Sequence, residues 1–340
     1  MITLTTTQSQ LTKVCEHCLQ PYPSIDAYKH EDGKCSNIFC VTCGCPVHPC
    51  IPCSEVIAYS NHTDSEYFRL LQLILDKGKR KKNRTGVDTI GVFGAMIQFD
   101  MSEGFPLLTT RKLPFKSTKV ELEGFIKGIT DKKWYQTRGC QYWNEWCNPE
   151  KVVYGHDVNT KSRMKEEPDL GKIYGYQWRN FNSSGYDQLK RVVETLKSNP
   201  TDRRMIVSAW NPCELHEMAL PPCHFWWMVG VEEDRLNLVW GQRSVDSVCG
   251  LPANISSYAL LLHLLAKEVG LKEGTLTGQL VDTHIYINHL DNVKIQMERN
   301  SKLLPTIQTN KFTSIFDWTY EDTELIGYDS HPKLNFEIAI

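Results

Sequence analysis

The sequence predicts a mixed α/β body over residues 61–340, preceded by a small cysteine-rich segment over residues 1–60 that binds metal. Three observations lead there. Candidate strands and helices are interspersed without the regular strand–helix–strand beat of a doubly wound fold, so a mixed sheet is expected. Eight of the 13 cysteines crowd between Cys15 and Cys53. The 340 residues, 41% hydrophobic and 23% charged, have the composition of an ordinary globular protein and enough length for one large domain and one small one. No internal repeat or low-complexity tract interrupts them.

Several function classes fall away. A net charge of -2 gives no general attraction to nucleic acid or anionic membranes. No apolar run approaches the ~18 residues of a membrane-spanning helix. Residues Met1 to Ser9 are polar and Thr-rich, without the basic and apolar stretches of a signal peptide. The expectation is a cytoplasmic protein with reduced thiols.

Along the body, a helix is predicted from Asp64, read as its N-cap. Tyr67, Leu70, Leu71, Ile74 and Leu75 repeat at helical spacing, and Gly78 suits the C-terminal cap. The basic run Lys77 to Arg84 reads as a solvated loop. Strands are predicted over Ile90 to Phe99, Arg204 to Trp210 and Arg235 to Gln242, and helices over Lys116 to Lys127 and Ser256 to Val269, the last a core helix. The polar stretch Asn148 to Leu170 reads as an exposed loop.

The N-terminal cysteines stand as Cys15-x2-Cys18, Cys35, Cys40-x2-Cys43, Cys45 and Cys50-x2-Cys53, with His17, His30 and His48 nearby. Each C-x2-C pair offers two thiolates to one tetrahedral zinc. A first site would use Cys15, Cys18, Cys40 and Cys43. A second would use Cys35, Cys50, Cys53 and either Cys45 or His48. Such a zinc serves first to fold a segment too small for its own core. A role in gripping nucleic acid is disfavoured by the scarcity of Lys and Arg there.

The chemistry-bearing part of the body centres on Leu220-Pro-Pro-Cys-His224, where Cys223 stands beside His224 after an expected strand. Arg203 and Arg204 precede it, and Gln242-Arg-Ser-Val-Asp246 follows. Three arginines and a serine make a phosphate site, because guanidinium groups bind phosphate oxygens in pairs. Nearby cations also favour the Cys223 thiolate. A thiolate beside a bound phosphate equally fits a cysteine phosphatase, although that chemistry usually takes a glycine-rich loop running from Cys to Arg. A non-catalytic nucleic-acid or protein binder is a third possibility.

Beyond this, residues 64–340 resemble the thymidylate synthase family. The resemblance is carried in order by Asn83-Arg-Thr-Gly86, Phe105-Pro-Leu-Leu-Thr-Thr110, Trp143-Asn-Glu-Trp146, Ile173-Tyr-Gly-Tyr-Gln-Trp-Arg179, Asp202-Arg-Arg204 and Ser208-Ala-Trp-Asn211. It continues through Pro221-Pro-Cys-His224, Gln242-Arg-Ser-Val-Asp246, Gly250-Leu-Pro-Ala-Asn254, Asp282-Thr-His-Ile-Tyr-Ile-Asn-His289 and Gly327-Tyr-Asp-Ser-His-Pro332. Singly, a tryptophan here would pass for a core aromatic and Glu121 for a solvated helix charge; the ordered set points to a site.

The resemblance implies the family's fold, a homodimer, and one-carbon transfer from 5,10-methylenetetrahydrofolate to C5 of dUMP. Cys223 would add to C6 as nucleophile, with His224 at its side. The phosphate would lie among Arg84, Arg243, Ser244 and the other subunit's Arg203 and Arg204. Asn254 would read the base, offering both a donor and an acceptor. His284 and Tyr286 would hold the deoxyribose hydroxyl. Glu121 would organise proton transfers and Tyr174 would assist loss of the C5 proton. Asp246 would bond the pterin, and Trp143, Trp146, Leu220, Gly250 and Ala253 would line the folate side.

Departures from the family pattern cluster around that expected folate side. Met228 stands where Gln is usual, Cys249 where Leu is, and Ala253 where an aromatic is; Leu122-Glu-Gly-Phe125 replaces Leu-Leu-Trp-Phe, and Asn144 replaces Asp. Trp226 and Trp227 are candidates to refill the lost volume. Losing one aromatic contact would weaken folate binding by about 1–3 kcal/mol. A remodelled wall that admits water to the methylene intermediate, with Asn254 retained, favours the deoxyuridylate hydroxymethylase branch found in bacteriophages with modified DNA. The alternative is thymidylate synthase, giving dTMP and dihydrofolate, for which the retained tail Phe336 to Ile340 argues.

Overall fold

The computed structural model describes residues 4–7, 10–13, 37–39, 46–49, 61–83, 85–310 and 312–337. It divides into two compact units, Met1–His62 and Thr63–Ile340. In the first, β1 (Leu4–Thr7) pairs antiparallel with β2 (Gln10–Lys13), and β3 (Asn37–Phe39) with β4 (Pro46–Pro49). The eight cysteines expected to bind zinc, Cys15 to Cys53, lie outside the described residues.

The second unit is built on one six-stranded sheet. Its strands are β5 (Lys79–Lys81), β6 (Thr89–Asp100), β7 (Ile206–Ser208), β8 (His224–Glu232), β9 (Arg235–Asp246) and β10 (Lys272–Tyr286), in the order β5-β6-β10-β9-β8-β7. The β10–β9 pair is parallel and every other pair antiparallel, so the expected mixed sheet is present. One face is covered by helices: α1 (His62–Lys77), α2 (Phe115–Lys127), α5 (Tyr174–Arg179), α6 (Gln188–Ser198) and above all α7 (Leu251–Val269). The short helices α3 (Lys132–Thr137), α4 (Val158–Glu166) and α8 (Leu290–Met297) and the hairpin of β11 (Thr306–Thr309) and β12 (Thr323–Ile326) complete it.

The apolar character of α7 on all sides marks a helix buried all round. Leu260, Leu261, Leu262, Leu264 and Leu265 are fully buried, each contributing about 1.5–3 kcal/mol on leaving water. Pro252 in the first turn suits a helix start. Gly270 (φ 71°) ends the helix in the left-handed conformation that glycine adopts without strain, its N–H donating to the Ala266 carbonyl. Tyr258 of α7 stacks on Trp240 of β9, centroids 5.3 Å apart.

Several local expectations are corrected. Helix α1 begins before Asp64, so Asp64 is not its N-cap. Instead its buried carboxylate accepts bonds from the Thr109 and Thr110 backbone N–H groups and hydroxyls, 2.6–3.3 Å away. The basic run contains the exposed edge strand β5, where charge discourages further pairing. Helix α7 starts five residues before Ser256, bringing Ala253 and Asn254 into its first turn. Cys223 follows β7 (Ile206–Ser208), as expected, and directly precedes β8, a strand that was not predicted. The excursion 148–170 contains α4, whose Met164 packs with Cys147 and Val152 in a small core of its own. Among the described residues, no helix is long and apolar enough to cross a membrane.

Candidate active site

Cys223 sits between Pro222 and the first residue of β8, half-buried and not disulfide-bonded. Its backbone N–H donates to Tyr174 Oη at 2.8 Å. Arg243, on the neighbouring strand β9, places Nη2 3.9 Å from Cys223 Sγ and donates to the carbonyls of Pro221 (2.6 Å) and Pro222 (2.9 Å). The register that pairs His224 with Gln242 carries Arg243 to the thiol. A guanidinium at this distance favours the thiolate over the thiol.

Behind the cysteine lies an aromatic stack. Tyr174 is held between Phe125, 5.0 Å away and nearly parallel, and the His224 ring at 4.4 Å. Burial keeps the Tyr174 phenol protonated, its pKa well above the ordinary value. His224 is also buried, with Nδ1 2.9 Å from Tyr258 Oη, and burial lowers its pKa to about 3. The ring is therefore neutral at neutral pH, with one N–H, and it packs against the Tyr174 ring.

Glu121, on the buried face of α2, accepts a hydrogen bond from Trp143 Nε1 at 2.9 Å. Burial raises its pKa to about 7, against the opposing pull of the Trp143 bond. A carboxyl poised there can both take and give a proton near neutrality. The substituted position Gly124 is accounted for: a Cβ there would run into the Tyr135 ring, which is fully buried and occupies the space beside the helix.

Asn254 faces Gln242. Trp240 Nε1 donates to Gln242 Oε1 at 3.2 Å, which turns Gln242 Nε2 toward Asn254 Oδ1 at 3.1 Å. One lone pair of Oδ1 is thereby engaged and the second is left for a ligand. Gln242, Phe125 and Tyr258 were not singled out from the sequence. Gln242 stands at the head of one quoted motif and Phe125 at the end of another, which was the available signal; Tyr258 gave none beyond lying in an apolar helix.

Asp246, at the end of β9, accepts from the backbone N–H groups of Val248 and Cys249, both at 2.9 Å. Gly250 and Ala253 follow at the start of α7, and Leu220 packs on the core. His284 and Tyr286 project from the same face of β10, rings 5.4 Å apart, and Ser244 lies opposite Asp282 on the adjoining strand.

Other expected residues stand apart. Arg203 and Arg204 are exposed just before β7, Arg204 bonded to Asp202 at 3.0 Å, and the described contacts do not join either to Cys223. Arg84 lies outside the described residues. Trp146 is half-buried and meets Tyr154, centroids 6.0 Å apart, rather than the Trp143 group. Met228 lies in register with exposed Ile206 and with Val239, and Trp226 lies over Gly241, on the sheet face away from α7. Trp227 points inward, wholly buried and edge-on to Trp178. The shift is caused by a bulge between His224 and Trp226, which changes the alternation of the strand.

The comparisons with known proteins agree on one family. The thymidylate synthase family model matches residues 65–340, so the match begins after the cysteine-rich segment. A thymidylate synthase of Mycoplasma genitalium is 43% identical over 287 residues, covering 81% of this chain and 99% of the relative. One of Staphylococcus haemolyticus is 41% identical over 316 residues, covering 82% and 99%.

Proposed function

The chain belongs to the thymidylate synthase family, and from that premise we propose that it methylates dUMP at C5, consuming 5,10-methylenetetrahydrofolate and giving dTMP and dihydrofolate. The observation that carries the reading is Cys223 with Arg243 at 3.9 Å from its sulfur and Tyr174 at 2.8 Å from its backbone N–H. It is reinforced by the names of the two relatives, both thymidylate synthases. The hydroxymethyl product favoured by the sequence loses part of its basis, since Met228 and Trp226 lie across the sheet from the site.

In this reading Cys223 adds to C6 of the pyrimidine, and electron density moves to C5, which bonds the methylene carbon as its bond to folate N10 breaks; once the C5 proton is lost, the bond to N5 breaks too and leaves an exocyclic methylene with free tetrahydrofolate beside it. Tyr174 assists departure of the C5 proton. Hydride from the tetrahydrofolate reduces the exocyclic methylene, oxidising the folate to dihydrofolate, and Cys223 leaves. Arg243, Ser244 and Arg84 hold the phosphate with Arg203 and Arg204 of a second copy. Asn254, oriented by Gln242, reads N3 and O4. His284 and Tyr286 hold the deoxyribose, and Glu121 shuttles protons through water. Asp246 bonds the pterin, with Trp143, Trp146, Leu220, Gly250 and Ala253 around the folate. Two features suit such a ligand: an Asp246 carboxylate fixed by two backbone donors, and the half-buried Trp146 ring.

The chain is proposed to act as a homodimer through the open sheet face. There Met96 and Ile206 are about half exposed at 55% and 50%, which suits a partner surface. The zinc-binding role of Cys15 to Cys53 rests on their sequence spacing. The test is Cys223→Ala, which should abolish turnover while dUMP binding, read by calorimetry, is retained within about 10-fold. Retained turnover in that variant would remove the mechanism.

A further inference from the structure

Among the described residues, Asp246, Cys249 and His289 bring a carboxylate oxygen, a thiol sulfur and an imidazole nitrogen within 4.8 Å of one another. The three come from the end of β9, the turn that follows it, and the turn after β10. His289 is the telling member. It is only 1% exposed, and its Nε2 lies 2.7 Å from the Glu337 carbonyl, which commits that nitrogen as the donor. The other nitrogen, Nδ1, is then a bare acceptor, and this buried atom has no hydrogen-bond partner. A buried lone pair left unmatched is destabilising, and a histidine anchored through one nitrogen on a carbonyl is the usual preparation for ligating metal through the other.

We propose that Asp246, Cys249 and His289 form a binding site for a thiophilic divalent cation of the zinc class. Sulfur, imidazole nitrogen and carboxylate oxygen are the donors such an ion prefers, and three protein ligands leave a fourth position for water. Ligation takes the thiol proton to solvent, as metal binding to cysteine requires. The neighbouring cation is Arg111, whose guanidinium bonds the Val248 carbonyl and lies 4.7 Å from the Phe336 ring centroid. Burial and the adjoining carboxylate push the Cys249 thiol up to about 12, so it is the arriving cation that draws the proton off, and the ligand set then outweighs the Arg111 charge. Resting on the assignment of Asp246 to the pterin, a filled site withdraws that carboxylate from folate, and the metal inhibits in competition with it.

The experiment uses the full chain, wild type and Cys249→Ser, equilibrated at the same free Zn2+ and then with Co2+ as a spectroscopic substitute. The amino-terminal cysteines contribute equally to both proteins and cancel in the difference. Unchanged dUMP binding in the variant certifies its fold. Expected is a loss of about one equivalent of zinc per chain and of part of the thiolate–Co2+ absorption, with zinc inhibition at least ~10-fold weaker in the variant. In the wild type, added zinc should raise the KM for methylenetetrahydrofolate without lowering kcat. Equal metal content and equal cobalt spectra in the two proteins overturn the site. A lost equivalent with inhibition indifferent to folate keeps the site and overturns the assignment of Asp246 to the pterin.

Discussion

Glu121 is the residue whose environment most departs from that of a solvated carboxylate. It lies on a helix face closed over by Trp143 and Phe125, and burial raises its pKa from 4.5 to about 7. Because the folded state holds this proton more tightly than the unfolded chain, the stabilisation is fully present below pH 4.5 and is lost as pH rises through 7. Its size is on the order of 3 kcal/mol. Glu121→Gln should flatten the stability profile over that window, measured by denaturant unfolding at stepped pH, and should lower kcat by ~10²–10⁴. His224 works in the opposite direction. Its pKa is lowered to about 3, so its contribution is present above pH 6.5 and fades as pH falls toward 3. A second residue-scale prediction concerns Gln242, which fixes the amide of Asn254. Gln242→Leu should raise the KM for dUMP by about 10-fold, the worth of one oriented hydrogen bond, and leave kcat within a few-fold. An unchanged KM would mean that Asn254 needs no such orientation.

At the scale of elements, the helices with apolar periodicity were readable from sequence: α1, α2 and α7 all lie where Tyr67, Phe125 and the Leu260 to Leu265 run indicate. Strand β8 escaped because His-Phe-Trp-Trp-Met-Val has no alternation to read once a bulge interrupts the strand. Strand β10 escaped because Gly, Thr and Asp dilute its apolar positions. The side of the sheet on which a residue falls is a tertiary property, so the face taken by Met228 and Trp226, away from α7, was not legible in the sequence, whereas Cys223, Arg243 and Tyr174, identified through motifs, lie together. Gly124 shows what local pattern conceals: the space beside it is filled by Tyr135, from a different helix. Gly124→Ala should therefore destabilise the protein by about 1–3 kcal/mol, through displacement of a buried ring. Thermal or denaturant unfolding reads this directly, and a neutral result would show that Tyr135 gives way freely.

The whole molecule presents a sheet with one face buried under α7 and the other bearing Ile206, Met228 and Trp226, with Arg203 and Arg204 beside its edge strand. An isolated subunit leaves that face in water, and under the proposed dimeric arrangement its phosphate site would lack the two guanidinium groups of Arg203 and Arg204. Met228→Glu should shift the protein toward monomer in sedimentation velocity and lose activity in proportion. A fully active monomer would contradict the dimeric site. Mixing Cys223→Ala with an Arg204→Ala variant should restore activity through hybrid dimers that contain one intact site.

The most direct measurement is product identity. The protein is incubated with dUMP and methylenetetrahydrofolate, the nucleotide is identified by mass spectrometry, and the folate is followed by absorbance. The account predicts a methylated nucleotide formed in step with dihydrofolate. A hydroxymethyl nucleotide with tetrahydrofolate unoxidised would contradict it, and would show that water reaches the methylene intermediate past Ala253 and Cys249.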